Sequence, residues 1–148
     1  MDLHGIYKEF PVKGGDFARA GEAAGKLKNI LKQIGAPYGV IKRVAIASYE
    51  MEMNIVLYAD EGKLCVNIKP REVFIVARDR GPGIPNTEKA MEEGYSTASA
   101  EIREMGFGAG MGLPNIKKAS DWMQIDSEVG VGTCVQIKFF FNGKTDGV

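Results

Sequence analysis

The sequence predicts an α+β domain in which one β-sheet carries its helices on a single face. Segments of alternating apolar and polar residues flank two stretches with helical periodicity, which is the pattern of a sheet covered by a helical layer. The 148 residues are enough for one hydrophobic core. The 19 glycines are about twice the usual share, and seven of them fall from Gly81 to Gly112. The glycine cluster predicts a long loop that interrupts the regular elements.

The first half of the chain is predicted to form a strand followed by two helices. Residues 6–12 alternate in polarity, as expected of a strand. Asp16 is a suitable N-cap for a first helix over residues 17–34, in which apolar side chains recur every three or four positions. Pro37 can open a second helix, whose apolar stripe continues to about Tyr58.

The second half adds four strands and one helix. The predicted strands are residues 64–68, 73–77, 124–128 and 134–141. Residues 61–63 are predicted as a turn before the first of them, and residues 113–123 as a helix before the last two. Residues 79–112 show no strand pattern, and a loop of that length in a compact domain is usually a functional lid or disordered.

The charge balance and the apolar runs exclude several classes of function. Lys plus Arg and Asp plus Glu both number 19, so the chain has no net field to attract nucleic acid or an anionic membrane. No run approaches the 18 or so apolar residues of a membrane span, and the N-terminus lacks a secretion signal, so we expect a cytoplasmic protein. Cys65 and Cys134 stand in separate apolar stretches and are predicted to be buried free thiols.

Histidine chemistry is excluded as well. His4 is the only histidine, and it stands near the N-terminus without a helical setting. A Ser-His-Asp hydrolase and a histidine phosphoacceptor are therefore not expected.

The first motif that can carry chemistry is E-M-E-M-N in the second predicted helix. Glu50 and Asn54 are four residues apart and therefore share a helix face. The Asn54 oxygen is a hard neutral ligand suited to Mg²⁺, and Glu50 can accept a proton from a hydroxyl group or water. The alternative is a solvated helix face. Glu52 points elsewhere and is expected at the surface.

The second and third motifs are R-D-R-G-P-G-I, after a buried strand, and V-G-V-G-T. An ionised Asp79 only accepts hydrogen bonds, so it suits the exocyclic amine of adenine and not the oxygen of guanine. Gly81 and Gly83 let the backbone approach a flat ligand closely. The Thr133 hydroxyl can bond the adenine edge or Asp79. The alternatives are a tight turn for R-D-R-G-P-G-I and a hairpin turn for V-G-V-G-T.

The fourth motif, G-F-G-A-G-M-G-L-P-N-I, runs into a predicted helix. Gly108, Gly110 and Gly112 allow backbone N–H groups to face one ligand, and the helix start near Leu113 adds its positive dipole end. This arrangement suits a polyphosphate. The sequence is neither a lysine-bearing P-loop nor a Rossmann fingerprint. A flexible hinge is the alternative.

Taken in chain order, with V-G-V-G-T last, the four motifs resemble the ATP-binding boxes of the GHKL (Bergerat-fold) ATPase/kinase superfamily. Because the chain is short, it looks like the small bacterial serine kinases and anti-sigma factors. Within that group it looks closer to the serine/threonine kinases of the stressosome switch (RsbT) type, on the stretch E-G-Y-S-T-A-S-A-E-I-R-E-M-G-F-G-A-G-M-G-L-P-N-I. Anti-sigma factor kinases of the RsbW and SpoIIAB type are near neighbours. The resemblance implies a two-layer α/β sandwich with a mixed sheet, formed by a single domain over residues 1–148 with an ATP lid at about 84–111.

The resemblance also implies an activity and partners. Such proteins phosphorylate serine or threonine on STAS-domain partners, using ATP and Mg²⁺, and then leave them to activate a PPM-type phosphatase or another output protein. The alternative function is that of an anti-sigma factor or ATP-gated binding module, which sequesters a partner with little or no turnover.

The resemblance assigns roles by matching position. Asn54 would ligate Mg²⁺, Glu50 would orient or deprotonate the attacking hydroxyl, and Asp79 would bind the adenine amine. The remaining ATP-binding positions would be Gly81, Gly83, Ile84, Gly108, Ala109, Gly110, Met111, Gly112, Leu113 and Thr133.

One departure from the family pattern concerns the γ-phosphate. The anti-sigma kinases carry an arginine just before the G-x-G loop, whereas Phe107 and Ala109 flank Gly108 in this chain. Arg103 is the nearest candidate for a γ-phosphate contact, and a plain surface charge is the alternative for it. Without such a cation, transfer is expected to be slow.

Overall fold

The computed structural model describes residues 5–92 and 112–143, which form five strands and four helices. A 3₁₀ turn, Phe17–Arg19, precedes the first helix. The strands are β1 (Ile6–Lys13), β2 (Glu61–Ile68), β3 (Glu72–Arg80), β4 (Trp122–Glu128) and β5 (Gly132–Phe140). The helices are α1 (Glu22–Gln33), α2 (Tyr38–Tyr58), α3 (Thr87–Ala90) and α4 (Gly112–Ala119).

The five strands form one sheet in the order β1-β2-β3-β5-β4. Every pairing between these strands is antiparallel, so the expectation of a mixed sheet is wrong. The reason lies in the connections: β2 and β3 form a hairpin, β4 and β5 form another, and β5 enters beside β3 in the opposite direction. The remainder of the predicted α+β architecture is confirmed.

The core lies between one face of the sheet and the helices. Alternate side chains of the central strands are almost fully buried there, as the period of two in a strand requires. They include Leu64, Val66, Ile75, Ile137 and Phe139. The central helix α2 lies over strands β1, β2, β3 and β5, and both α1 and α4 pack against it. The residues of α2 are therefore positioned by the sheet, by α1 and by α4.

Several element boundaries differ from the sequence predictions. The helix α1 begins at Glu22 and not at residue 17, because Gly21 adopts φ 93° and Asp16 makes no capping hydrogen bond. Residues 61–63 continue β2, since they pair with both β1 and β3. The helix α4 ends at Ala119, and Trp122 opens β4 opposite Lys138.

Both cysteines are free thiols, as predicted, but they are half-buried instead of buried. Cys65 and Cys134 lie on the sheet face that carries no helix, where partial burial raises the pKa of the Cys134 thiol. Among the helices of the described ranges, none has the length and apolarity needed to cross a membrane.

Candidate functional site

The C-terminal half of α2 brings Glu50 and Asn54 to the start of α4. A Cβ atom placed on Gly112 would lie 3.2 Å from Asn54 Oδ1 and 3.3 Å from Glu50 Oε2. The two predicted side chains therefore share one face of α2 and converge on the space that Gly112 leaves open. Leu113, the next residue, is buried against the core and anchors this end of α4.

Glu50 is a half-buried carboxyl group. Burial raises the pKa of Glu50, and a hydrogen bond from the Asn115 side chain on α4 partly opposes that shift. A raised carboxylate pKa makes the group a better proton acceptor. Asn115 lies in the G-F-G-A-G-M-G-L-P-N-I motif, but the sequence alone predicts no role for it.

Asp79 lies near the end of β3, where burial raises the pKa of its carboxyl group. Its Oδ1 accepts a hydrogen bond of 3.1 Å from the backbone N–H of Thr133. The predicted bond from the Thr133 hydroxyl to Asp79 is not the one formed, because that hydroxyl lies 2.9 Å from Ser127 Oγ. Because the Thr133 N–H group bonds Oδ1, the second carboxylate oxygen of Asp79 can accept a hydrogen bond from a ligand.

The two glycines after Asp79 make close contacts within the protein. A Cβ on Gly81 would lie 3.0 Å from the Cα of Ala59 at the end of α2. Gly83 has φ 74°, and a Cβ there would overlap the Glu128 carbonyl group. Gly83 requires glycine, since its φ is positive and the Glu128 carbonyl group lies where a Cβ would stand, whereas at Gly81 the end of α2 leaves little room for a side chain.

Ser127 holds the same loop and was missed by the sequence analysis. Its Oγ accepts a 2.7 Å hydrogen bond from the Ile84 N–H group and lies 3.2 Å from the Gly132 carbonyl oxygen, to which it donates. Ile84 itself is partly buried against the core. A serine two positions before the V-G-V-G-T motif is the only signal the sequence offers, and many surface turns carry such a residue.

Glu52 is not at the surface, contrary to the prediction. Only 2% of it is exposed, and its carboxylate accepts three backbone hydrogen bonds at the start of α1. The donors are the N–H groups of Gly21 at 3.0 Å, Ala23 at 3.2 Å and Ala24 at 2.9 Å. Glu52 therefore caps α1 from α2, two residues from both Glu50 and Asn54.

Five of the predicted site positions lie outside the described residues. They are Arg103, Gly108, Ala109, Gly110 and Met111. The same holds for the predicted lid beyond residue 92.

The Asn54 oxygen suits a magnesium ion that a bound ligand also coordinates. Within residues 5–92 and 112–143, no three His, Cys, Asp or Glu side chains cluster as in an all-protein metal site. Mg²⁺ commonly takes only one or two protein oxygens and completes its shell with water and phosphate. The Asn54 oxygen, facing the gap at Gly112, has the chemistry of such a single protein ligand.

The sequence matches one family profile and is similar to several individual proteins. The sequence profile described as "Histidine kinase-, DNA gyrase B-, and HSP90-like ATPase" matches residues 39–143. The chain is 34% identical over 115 residues to the serine/threonine-protein kinase RsbT of Bacillus subtilis (strain 168), covering 74% of this chain and 79% of the relative.

Anti-sigma F factors are similar as well. That of Clostridium acetobutylicum is 33% identical over 103 residues, covering 66% of this chain and 68% of the relative. That of Clostridium beijerinckii is 31% identical over 132 residues, covering 85% of each chain. The profile match over residues 39–143 includes nearly all of α2, the loop after β3 and the β4–β5 hairpin. The chain therefore belongs to the family of histidine kinase-, DNA gyrase B- and HSP90-like ATPases.

Proposed function

We propose that the chain is an ATP-dependent protein serine/threonine kinase of the partner-switching type, folded as one domain over residues 1–148. Its substrates would be STAS-domain proteins of a stressosome pathway, which on phosphorylation release the kinase to act on a phosphatase or another output protein. The observation that carries the proposal is the convergence of Glu50 and Asn54 on Gly112, at the start of the helix that follows the glycine-rich segment. The similarity to a serine/threonine-protein kinase supports it.

Adenine would bind at the end of β3. The free oxygen of Asp79 would accept a hydrogen bond from the exocyclic amine, while the Thr133 N–H group fixes the other oxygen at 3.1 Å. The loop that contains Gly81, Gly83 and Ile84 would form one wall of the base pocket. Its contacts with α2 and Ser127 hold that wall in place before the nucleotide arrives.

The phosphates would lie between α2 and the start of α4. The backbone N–H groups at Gly112 and Leu113 would face them, with Gly108, Ala109, Gly110 and Met111 as the proposed preceding part of the cradle. Arg103 stays a proposed γ-phosphate contact. Bound Mg²⁺, held by Asn54, would neutralise phosphate charge.

Glu50 would act on the substrate hydroxyl. The serine or threonine oxygen forms a bond to the γ-phosphorus as the bond from that phosphorus to the leaving ADP oxygen breaks, and the hydroxyl proton passes to the Glu50 carboxylate. The raised pKa of Glu50 favours acceptance of that proton. Positioning and charge neutralisation supply most of the remaining catalysis in phosphoryl transfer.

A second function has its own support, namely the similarity to anti-sigma F factors. In that case ATP would order the site, and the chain would sequester a partner with little or no turnover. Such a binding module has no need of a proton acceptor at position 50.

Phosphotransfer to purified STAS-domain proteins separates the two functions. Each STAS-domain protein of the source genome is incubated with Mg-ATP and either the wild type or the Glu50→Gln variant, and phosphoserine and phosphothreonine are located by mass spectrometry. The matched control is Glu9→Gln, a change of an exposed glutamate on β1, away from the proposed site.

The kinase proposal expects label on one STAS protein with the wild type and the Glu9→Gln control. It expects at least a hundredfold slower labelling with Glu50→Gln, the lower range for a general base. Binding of a partner without any phosphorylated residue would favour the sequestering module instead.

A further inference from the structure

A shallow groove of about 450 Å³ runs between α1 and α2 and ends at Glu50. It is separate from the adenine end of the proposed site, since Asp79 and Thr133 do not line it. Its walls are small or apolar side chains, with Lys28 at one rim. The residues that form the floor and walls are Ala24, Gly25, Ala45, Ile46 and Tyr49.

The two largest apolar side chains of the groove are exposed. Ile46 is 45% exposed and Tyr49 is 41% exposed, although both stand on the central helix of the fold. The Tyr49 ring lies along Gly21, where an added Cβ would be 3.4 Å from the ring edge. These side chains therefore form a preformed apolar wall that the core does not use.

Gly25 is the fourth residue of α1, and the described residues leave room there for a side chain. An added Cβ atom would meet no described atom within 4 Å outside its own helix, and the backbone there is helical. Glycine inside a helix costs about 1 kcal/mol relative to alanine. No contact within residues 5–92 and 112–143 offsets that cost, whereas the missing side chain keeps the groove open.

We propose that this groove seats the segment of the protein substrate that carries the phosphorylated serine or threonine. The proposal rests on the proposed function, because it takes Glu50 as the acceptor of the substrate hydroxyl proton. A substrate segment lying on Gly25 and Ile46 reaches the Glu50 carboxylate without crossing the nucleotide. The apolar walls suit a segment with small apolar side chains beside its hydroxyl-bearing residue, and Lys28 favours an acidic neighbour.

The experiment fills the groove without disturbing the fold. Gly25→Leu places a side chain in the groove, and Gly25→Ala places only a methyl group there. Gln33→Leu is the matched control, since it adds the same side chain at an exposed position of α1 that does not line the groove. The probes are the STAS-domain proteins of the source genome, each tested for phosphotransfer kinetics and, with a non-hydrolysable ATP analogue, for binding.

We expect Gly25→Leu to raise both KM and Kd for the STAS protein about tenfold or more, because the partner must displace a leucine. The Kd for ATP should stay within twofold of the wild type, and Gln33→Leu should behave as wild type. Gly25→Ala should unfold about 2–4 °C above the wild type and still bind the partner more weakly, which a purely structural role would not produce.

The outcomes keep the two proposals apart. Phosphotransfer with unchanged KM and Kd in Gly25→Leu overturns the groove and leaves the kinase standing. Partner binding that Gly25→Leu abolishes, with no phosphorylated residue in any reaction, leaves the groove as a partner-binding surface but overturns both the kinase and the seating of a phosphorylated segment. If no STAS protein binds the wild type, the assignment of the groove to this substrate is wrong.

Discussion

Removal of the Glu52 carboxylate should destabilise the protein more than the loss of almost any exposed group. Its three hydrogen bonds span 2.9–3.2 Å and serve the first N–H groups of α1, which have no partner within their own helix. The bonds to Ala23 and Ala24 are buried, and the bond to Gly21 is partly buried.

The magnitude follows from the donors left behind. Each buried donor without a partner costs about 1–3 kcal/mol, so Glu52→Ala should lower the free energy of unfolding by about 4 kcal/mol. In a chain of 148 residues, that corresponds to a fall in Tm of about 8–16 °C. Glu52→Gln keeps the shape but directs an NH₂ group at an N–H donor, and should cost about 2 kcal/mol.

The assay is urea unfolding followed by circular dichroism at constant pH. The control is Glu22→Gln at the start of the same helix, where the side chain is 52% exposed and pairs with Lys26 at 3.1 Å. That change should cost less than about 0.5 kcal/mol. A Glu52→Ala variant within 1 kcal/mol of wild type, with an unchanged m-value, would refute the capping role.

Four further predictions concern the site and the rest of the fold. Because Glu50 must be ionised to accept a proton, kcat should fall as the pH drops through the raised pKa of Glu50. Asn115→Leu removes a hydrogen bond that lowers this pKa, so the acid limb of the pH–rate profile should move to higher pH. Because burial disfavours the Glu50 carboxylate in the folded state, stability is lost as the pH rises through its pKa, and Glu50→Gln should melt above wild type at pH 8. Arg43→Leu should cost about 3–5 kcal/mol in urea unfolding, because the paired side chains of Arg43 and Asp121 are only 7% and 8% exposed. Gly83→Ala should cost more than about 1 kcal/mol and weaken ATP binding measured by calorimetry, since φ is 74° there.

Local sequence patterns were sufficient for the central helix. The apolar stripe from Pro37 to Tyr58 predicts α2 to within one residue, and the four-residue spacing of Glu50 and Asn54 places both on one face. Because a helix has a fixed period, this part of the candidate site needs no knowledge of tertiary structure.

Contacts distant in sequence account for what the sequence could not predict. Glu52 is buried because α1 begins against it, and its partners lie 28–31 residues away. A helix covered on most sides offers no polar face by which to recognise such a residue. The same reason applies to Ser127, whose partner Ile84 is 43 residues away.

The glycines after Asp79 stand where the backbone is closely approached, but by the protein's own backbone. We expected Gly83 to admit an adenine base, and the structure gives it a contact with the Glu128 backbone. Close backbone approach is required in both cases, but the sequence does not tell whether a ligand or another loop makes that approach.

We propose that the end of β3 selects an adenine nucleotide through Asp79, and the proposed function depends most directly on that selection. Calorimetric titration of the purified wild type with Mg-ATP and with Mg-GTP tests that claim, with Asp79→Asn beside it. We predict saturable binding of Mg-ATP, no measurable binding of Mg-GTP, and loss of most ATP affinity in Asp79→Asn. Equal binding of the two nucleotides, or an Asp79→Asn variant that binds ATP as wild type does, would contradict the account.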